Sequence, residues 1–250
     1  MQFAFLIILF LKIAKTIHMK KIFRSIIYIF YSFCIIFLIS CSKNENTVNK
    51  NVVVSENKNI FLTFDDGPTN STTPKILKIL NDEKVKATFF VVGRQIPTRK
   101  DVLEEIAKTN LIGIHTQTHI YSDIYRSPEN LKRDILDCKR EILKVLPNYN
   151  LKLYRFPGGS FNLSQSLKDV PKSLGLSYFD WNSETGDAIN RRASPEELFA
   201  NAVKSGQDRN QIILLLHDGV NFDSTVQALP RIIQYYKNKN YQFKTLNEIA

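Results

Sequence analysis

From Asn59 onward, short apolar segments alternate with segments of helical periodicity, and this alternation is the strongest constraint on the fold. The strand candidates are residues 60–64, 87–92, 112–115, 153–156, 177–181, 211–216 and 241–246. The helix candidates are residues 73–81, 101–109, 128–145, 194–205 and 229–237. Strands that alternate with helices favour a parallel sheet or barrel. About seven strand signals in about 190 residues predict an α/β fold, a distorted and incomplete (β/α) barrel rather than the full eightfold form.

The first 41 residues have the pattern of a targeting segment and stand apart from this fold. Read from Met19, a cationic start precedes an apolar stretch over residues 26–39. The stretch ends in Leu38-Ile39-Ser40-Cys41, which resembles a bacterial lipobox. The resemblance implies lipidation of Cys41, cleavage before it and a lipoprotein anchored to the membrane. An uncleaved signal-anchor helix is the alternative, and both readings place the remainder outside the cytoplasm. Residues 1–18 are dispensable if translation starts at Met19.

Residues 42–58 are rich in Asn, Lys, Ser and Val without helical periodicity, so they predict a flexible tether to a folded domain over residues 59–250.

Five of the 34 basic residues and none of the 24 acidic ones precede Cys41. Without the leader, 29 basic and 24 acidic residues remain, which gives a net charge of +5. This charge favours weak attraction to an anionic wall or membrane. No basic stripe with interleaved aromatic residues occurs, which argues against nucleic-acid binding. The three cysteines include no Cys-x-x-Cys pair, which excludes a cysteine zinc site.

Two adjacent acids end the first strand candidate, in Thr63-Phe64-Asp65-Asp66-Gly67-Pro68. Neighbouring residues at a strand end point in different directions, so one carboxylate can bind a metal while the other faces a substrate. The turn at Gly67-Pro68 keeps both acids at the rim of the sheet. Taken alone, the motif is equally typical of a turn capped by aspartate.

The chain has four histidines, and His18 lies in the leader. Two of the others form the pair His115-Thr116-Gln117-Thr118-His119. In a helix this spacing places both rings on one face, and in a tight loop they can still converge. Two imidazoles and one carboxylate suit zinc, which in catalytic sites leaves one position open for water. No glutamate follows His115, which excludes the His-Glu-x-x-His protease motif.

Two more segments carry candidate functional residues. His217 closes an apolar run, and Arg155 precedes Phe156-Pro157-Gly158-Gly159, where glycines let backbone N–H groups approach a ligand closely. Each also has a simpler interpretation. His217 would be a strand-end histidine bonded to the backbone, and Arg155 a surface arginine before a turn.

In this order, the segments resemble the polysaccharide deacetylase family, the NodB-homology carbohydrate esterases. The matching motifs are Thr63-Phe64-Asp65-Asp66-Gly67-Pro68, His115-Thr116-Gln117-Thr118-His119, Arg155-Phe156-Pro157-Gly158 and Leu215-Leu216-His217. The resemblance covers residues 59–250 and implies that they form the catalytic domain. It implies a metal-dependent hydrolase that removes N-acetyl groups from amino sugars, with acetate and a free amine as products.

The resemblance also implies roles for these residues. The implied ligands of a divalent metal ion, with zinc expected, are Asp66, His115 and His119. Asp65 would act as general base, oriented by Arg155. His217 would protonate the departing amine. A backbone N–H near Gly158 would stabilise the oxyanion.

The fourth motif of the family departs from its usual form, in which Asp is followed by Trp. Asp187 is the match, expected to hold His217 and raise its pKa, and Asp180-Trp181 is a rival. We expect Trp181 and Leu215 to offer apolar surface to the sugar. Gly158 stands where many relatives have an aromatic residue, so sugar stacking is not expected there.

The location predicted for the domain points to peptidoglycan as the nearest abundant N-acetylated polysaccharide. N-Acetylglucosamine is the first choice of sugar, and N-acetylmuramic acid stays open. The alternatives are a deacetylase for chitin or poly-N-acetylglucosamine, an O-acetyl esterase acting on xylan, and a catalytically silent wall-binding protein. The silent protein is disfavoured because Asp65 and both paired histidines are intact.

Overall fold

The computed structural model describes residues 57–249. The predicted leader over residues 1–41, its lipidation site Cys41 and nearly all of the predicted tether lie outside the described residues. Within residues 57–249, no helix is both long and apolar enough to span a membrane. The compact unit that contains them extends from Glu56 to Ala250.

Eight strands form one sheet, and all their pairings are parallel. The strands are β1 (Asn59–Asp65), β2 (Ala87–Val92), β3 (Leu111–Thr116), β4 (Leu153–Tyr154), β5 (Ser177–Tyr178), β6 (Ser183–Glu184), β7 (Gln211–His217) and β8 (Gln242–Phe243). Their order is β5-β4-β3-β2-β1-β7-β6, and β8 pairs with the first two residues of β1. Strand β1 therefore has three neighbours in the sheet, β2, β7 and β8.

The sheet curls into an open half-barrel, as the chain connectivity requires. Its two edge strands, β5 and β6, are consecutive in sequence, with residues 179–182 between them. Five Cα steps reach at most about 18 Å. Seven flat strands would hold their edges about 29 Å apart. The connection therefore draws the two edges toward each other, and the prediction of an incomplete barrel is confirmed.

Seven α-helices accompany the strands in the described part of the chain. They are α1 (Thr73–Asp82), α2 (Lys100–Thr109), α3 (Tyr121–Ile124), α4 (Pro128–Val145), α5 (Gln165–Ser173), α6 (Pro195–Ser205) and α7 (Asp223–Asn238). Two 3₁₀ helices span Gly93–Thr98 and Leu246–Glu248. Helices α4 and α6 begin as predicted, because the hydroxyls of Ser127 and Ser194 accept hydrogen bonds from the N–H groups three residues later.

The two faces of the sheet carry different side chains, since successive strand residues point to opposite sides. Toward the helices, Ile60, Leu62 and Phe64 of β1 join the main hydrophobic core. The other face lines the inside of the half-barrel, where Phe61 packs in a small cluster with Phe90. The polar residues Thr63 and Asp65 continue the inner face of β1. The core therefore stabilises one face of the sheet, and the other is available for a site.

The elements that the sequence predicted are present, with shorter strands at the edges. The predicted strands over residues 153–156, 177–181 and 241–246 are reduced to two residues each, as β4, β5 and β8. The helix predicted from residue 229 begins earlier, at Asp223. Helices α3 and α5 and strand β6 were not predicted.

Candidate active site

The functional side chains come from the inner face of the sheet, where several strands end together. Asp65 ends β1, His115 lies in β3, and His217 ends β7. Asp65 and His217 are paired across neighbouring strands. Because parallel strands share the direction of their carboxyl ends, residues that are remote in sequence meet at one rim.

Asp66, His115 and His119 form the group that could hold a metal ion, as the sequence predicted. One ligand atom from each lies within 4.8 Å of the others. Asp66 Oδ1 is 3.1 Å from His119 Nε2 and 3.6 Å from His115 Nε2. Ligand atoms about 2.0–2.2 Å from a tetrahedral zinc ion are about 3.3–3.6 Å from one another. The spacing of these atoms therefore fits one ion between them.

The environment of Asp66 also fits a cation. Its Oδ1 atom is buried and has no partner with hydrogen-bond geometry within residues 57–249. Burial alone would raise the pKa of Asp66, but the imidazoles of His119, His115 and His217 outweigh it and hold this pKa well below its usual range. Asp66 is therefore an ionised carboxylate with a free oxygen directed at two imidazoles.

The two histidines reach this position from a strand and a turn rather than from one helix. His115 lies in β3, and His119 follows a turn and adopts a positive φ of 58°. The Nδ1–H of His115 donates to the carbonyl of Arg155 at 2.9 Å, which leaves Nε2 directed at Asp66. Burial lowers the pKa of His115, which favours the neutral ring that a metal ligand needs. The loop alternative for the pair is therefore the observed one.

A buried carboxylate on α4, Asp134, fixes the turn between the two histidines. Its Oδ2 accepts from the Thr116 hydroxyl at 2.7 Å and from the Gln117 N–H at 2.8 Å. Its Oδ1 accepts from the Thr118 N–H and hydroxyl, each at 3.2 Å. This residue was not predicted from the sequence. A signal was present, because Asp134 falls in the buried stripe of α4 with Leu131 and Ile135.

Asp65 is held by Arg155 inside the half-barrel. Arg155 Nη1 lies 3.0 Å from Asp65 Oδ1 and also donates to the Thr63 hydroxyl at 2.7 Å. The guanidinium is fully buried and stacks over the Phe90 ring at 4.3 Å. Burial lowers the pKa of Arg155 and Asp65 opposes this shift, while an arginine remains protonated in any case. Asp65 is thus oriented by a fixed positive charge, and Arg155 is not the surface residue of the simpler interpretation.

His217 is held by Asp187, which identifies the partner that the sequence left open. His217 Nδ1 lies 2.7 Å from Asp187 Oδ1, and Asp187 Oδ2 accepts from the His217 N–H and from the Thr225 hydroxyl. Burial opposes a charge on His217, but the bond to Asp187 outweighs it and raises the pKa of His217 to about 9. The rival residue Asp180 instead accepts from the Ser160 N–H at 2.9 Å.

The proposed catalytic and metal-binding residues line a cavity of about 240 Å³, namely Asp65, Asp66, His115, His119, Asp187 and His217. Besides the residues above, its walls include the three predicted substrate contacts, Gly158, Trp181 and Leu215. Tyr121, which was not predicted, also lines the cavity. A Cβ placed on Gly158 would lie 3.3 Å from the Tyr121 ring, so this ring covers the place where a side chain at position 158 would begin.

The sequence of the chain is similar to those of known proteins. The sequence profile described as polysaccharide deacetylase matches residues 53–179. A peptidoglycan-N-acetylglucosamine deacetylase from Bacillus cereus is 33% identical over 201 residues, which cover 79% of this chain and 90% of that protein. The chain belongs to the polysaccharide deacetylase family. It is therefore a hydrolase, and the divalent metal that this family uses fits Asp66, His115 and His119.

Two further matches bear on the fold and the range of substrates in the deacetylase family. The structure of a Streptococcus mutans CE4 esterase superposes with a TM-score of 0.71 and 30% identity, and the match covers 75% of this chain and 85% of that one. A bifunctional xylanase/deacetylase from Pseudobutyrivibrio xylanivorans is 31% identical over 220 residues, which cover 86% of this chain but only 34% of that longer protein.

Asp218 supports the turn that carries Asp66 in this deacetylase, although no role was predicted for it from the sequence. Its Oδ2 accepts from the Thr73 hydroxyl at 2.6 Å, and its backbone N–H donates to the Asp65 carbonyl at 2.9 Å. Burial raises the pKa of Asp218 to about 7. A Cβ on Gly67 would lie 2.1 Å from the Asp218 carboxyl, so only glycine fits the turn there.

Proposed function

We propose that this deacetylase removes N-acetyl groups from the N-acetylglucosamine residues of peptidoglycan. One observation carries the chemistry: the Asp66-His115-His119 group lies in one cavity with an acid paired to a buried arginine and a histidine paired to a buried aspartate. The cavity thus contains a metal-binding group, a candidate base and a candidate acid, which amide hydrolysis requires together.

A divalent ion, for which we propose zinc, would polarise the acetyl carbonyl and lower the pKa of the attacking water. Nitrogen and oxygen donors in this number are typical of catalytic zinc sites. Asp66, His115 and His119 would hold it through the three atoms that lie within 4.8 Å of one another. The carbonyl of Arg155 fixes the ring of His115 for this purpose.

Two other residues move the protons. Asp65 accepts a proton from the attacking water, and the Arg155 guanidinium at 3.0 Å keeps its carboxylate oriented. His217 holds a proton on Nε2 and donates it to the nitrogen of the departing sugar amine. Asp187 at 2.7 Å keeps His217 protonated near neutral pH.

The remaining walls of the cavity position the acetamide. Gly158 lines the cavity, and its N–H would donate to the developing oxyanion. Leu215 offers apolar surface to the acetyl methyl group, and Trp181 offers its ring to the sugars of the glycan. None of these contacts needs a charge on the substrate, which suits a neutral N-acetyl sugar.

Peptidoglycan is the proposed substrate for two reasons. The Bacillus cereus relative that covers most of this chain acts on it by name. The N-terminal sequence favours a lipoprotein anchored at Cys41 on the outer side of the membrane, where this polymer is the nearest N-acetylated glycan. Metabolic labelling with a radioactive fatty acid tests the anchor, because the lipoprotein should be labelled and its Cys41→Ala variant should not, whereas an uncleaved helix would leave both unlabelled.

An acetate-release assay tests the activity. Purified protein with zinc is incubated with peptidoglycan, N-acetylglucosamine oligomers and acetylated xylan. We expect acetate from peptidoglycan, none after chelation, and recovery with added zinc. Asp65→Asn should lower kcat by about 10²–10⁴-fold, the usual contribution of general base catalysis. Full activity of Asp65→Asn would exclude Asp65 as the base.

An O-acetyl esterase acting on xylan is the second candidate, supported by the xylanase/deacetylase relative. The same site could cleave an ester, because an alcohol leaves more readily than an amine and needs less help from His217. Acetate release from acetylated xylan but not from peptidoglycan or N-acetylglucosamine oligomers would favour it.

A further inference from the structure

An exposed aromatic pair continues the wall of the cavity onto the outer surface. Trp181 lines the cavity, and the Phe161 ring lies against it with centroids 5.5 Å apart and planes at 86°. Phe161 is 59% exposed and does not line the cavity itself. A single exposed apolar residue needs no explanation, but an exposed aromatic ring continuous with a ligand cavity indicates a binding surface.

The protein holds the two rings in place through short connections. Gly159 has a φ of +82°, and a Cβ there would lie 2.7 Å from the Phe161 ring and 3.2 Å from Trp181. Any side chain at this position would therefore separate the rings. The Asp180 carboxylate, next to Trp181, accepts from the N–H of Ser160, next to Phe161. The indole N–H of Trp181 donates to Glu184 at 3.2 Å.

The size of the cavity requires a surface of this kind if the substrate is a polymer. Its volume of about 240 Å³ lies below the range of about 300–1,000 Å³ that small-molecule sites occupy. It can hold the sugar that carries the scissile acetyl group but not a chain. The neighbouring sugars of a glycan must therefore lie on the surface next to the cavity.

We propose that Phe161 and Trp181 form a binding subsite for a second sugar of the substrate, adjacent to the sugar that is deacetylated. The occupant is a β-linked N-acetylhexosamine unit of the same glycan chain. Its ring faces present C–H groups, which pack against aromatic rings, while its hydroxyls remain in water. This subsite rests on the proposed function, because it assumes a glycan whose acetylated sugar enters the cavity.

The composition of the chain makes the subsite directly observable. Trp181 is its single tryptophan, so intrinsic tryptophan fluorescence reports on ligands bound at this ring, in the cavity or in the subsite. The zinc-loaded Asp65→Asn protein is titrated with N-acetylglucosamine monomer and with the β-1,4-linked tetramer. We expect the tetramer to change the emission saturably and to bind more tightly than the monomer. Binding of the two ligands with equal affinity would overturn the proposal.

Phe161→Ala should then reduce tetramer affinity by about 3- to 10-fold, the range for loss of an aromatic contact, and reduce monomer affinity less. Phe161→Tyr, which keeps the ring, should retain the affinity of the parent. Leu136→Ala is the matched control, since Leu136 is 39% exposed on α4 and does not line the cavity. An unchanged tetramer affinity in Phe161→Ala, or an equal loss for both ligands, would overturn the subsite.

This measurement separates the subsite from the proposed function, because binding is read without turnover. One outcome is that tetramer binding depends on Phe161 while the unsubstituted protein, which carries Asp65, releases no acetate from any N-acetylated glycan. This outcome would support the subsite and reject the proposed deacetylation. Acetate release without an effect of Phe161→Ala on binding would do the reverse. Failure of the tetramer to bind at all would reject the subsite.

Discussion

His115 and His217 both belong to the inner face of the sheet, and each bonds a neighbour through Nδ1. His115 donates to the carbonyl of Arg155, whereas His217 donates to the carboxylate of Asp187. Burial lowers the pKa of His115. Burial also opposes a charge on His217, but Asp187 outweighs it and raises this pKa to about 9. The partner of Nδ1 therefore decides whether an imidazole in this site is neutral, as a metal ligand must be, or protonated, as an acid must be.

The test with the largest expected effect removes the imidazole rings of His217 and His115 one at a time. His217→Ala takes away the proposed acid, so kcat should fall by about 10²–10⁴-fold. Zinc affinity should be unchanged, because His217 is not among the three grouped ligands. Steady-state kinetics and a zinc titration against a competing chelator measure the two effects.

His115→Ala is the matched variant, and it should lose both zinc binding and activity. The comparison predicts that the two variants differ in zinc affinity even if their activities are equally low. If His217→Ala lost zinc as completely as His115→Ala, the division of roles between the two histidines would be wrong.

A second test changes only the partner of Nδ1. Asp187→Asn keeps the shape of the side chain but removes the charge that raises the pKa of His217. In metal-free protein this pKa should fall from about 9 to its ordinary value of about 6.5 or lower, since burial remains. NMR titration of the histidine rings measures it. A bound divalent ion lowers the pKa in both proteins, because it repels the charge on His217.

The same shift gives the stability a pH dependence. Since the folded protein holds the His217 proton more tightly than the unfolded chain, the extra stability is complete below about pH 6.5 and is lost as the pH rises through about 9. Its size is about 3 kcal/mol, from 1.36 kcal/mol for each pKa unit. Urea unfolding of metal-free protein across this range should reveal the loss, and Asp187→Asn should lack it. An identical pH dependence in both proteins would contradict the role of Asp187.

The fold was predictable where strands are buried on both faces. Strands β1, β2 and β7 are runs of six or seven mostly apolar residues, because one face packs on the helices and most of the other is buried inside the half-barrel. Strand β6 is only Ser183–Glu184 and carries no apolar signal, so its place depends on pairing with β7. Helix α5 has a proline at position 171, which obscures its periodicity.

The site was predictable for residues whose type is rare and informative, and not for their supports. Three histidines outside the leader and one pair of acids at a strand end left few alternatives for the metal group. Asp134 is an acid within a charged helix, a context in which acids are normally solvated. Only the turn between His115 and His119, folded back onto α4, reveals what this carboxylate binds.

Asp134 offers the mildest test, because it supports the two metal histidines without touching their rings. Asp134→Asn keeps the size of the side chain. The carboxylate accepts four hydrogen bonds, whereas an amide has one accepting oxygen and one donating NH₂ group. Outer supports of metal ligands typically contribute about 10–100-fold in metal affinity, so zinc affinity should fall within this range. At saturating zinc, kcat should recover most of its value, and the His217 pKa should be unchanged. Chelator competition and kinetics at several zinc concentrations measure both.

Asp137→Asn is the matched control, because Asp137 lies on the same helix and pairs with Arg140 instead of the turn. It should bind zinc as the parent does. A fall in kcat for Asp134→Asn that saturating zinc does not restore would mean that the turn positions substrate or base rather than the ion. The turn that Asp134 fixes would then support the catalytic groups as well as the metal ligands. The difference between the Nδ1 partners of His115 and His217 would no longer be enough to explain their different roles.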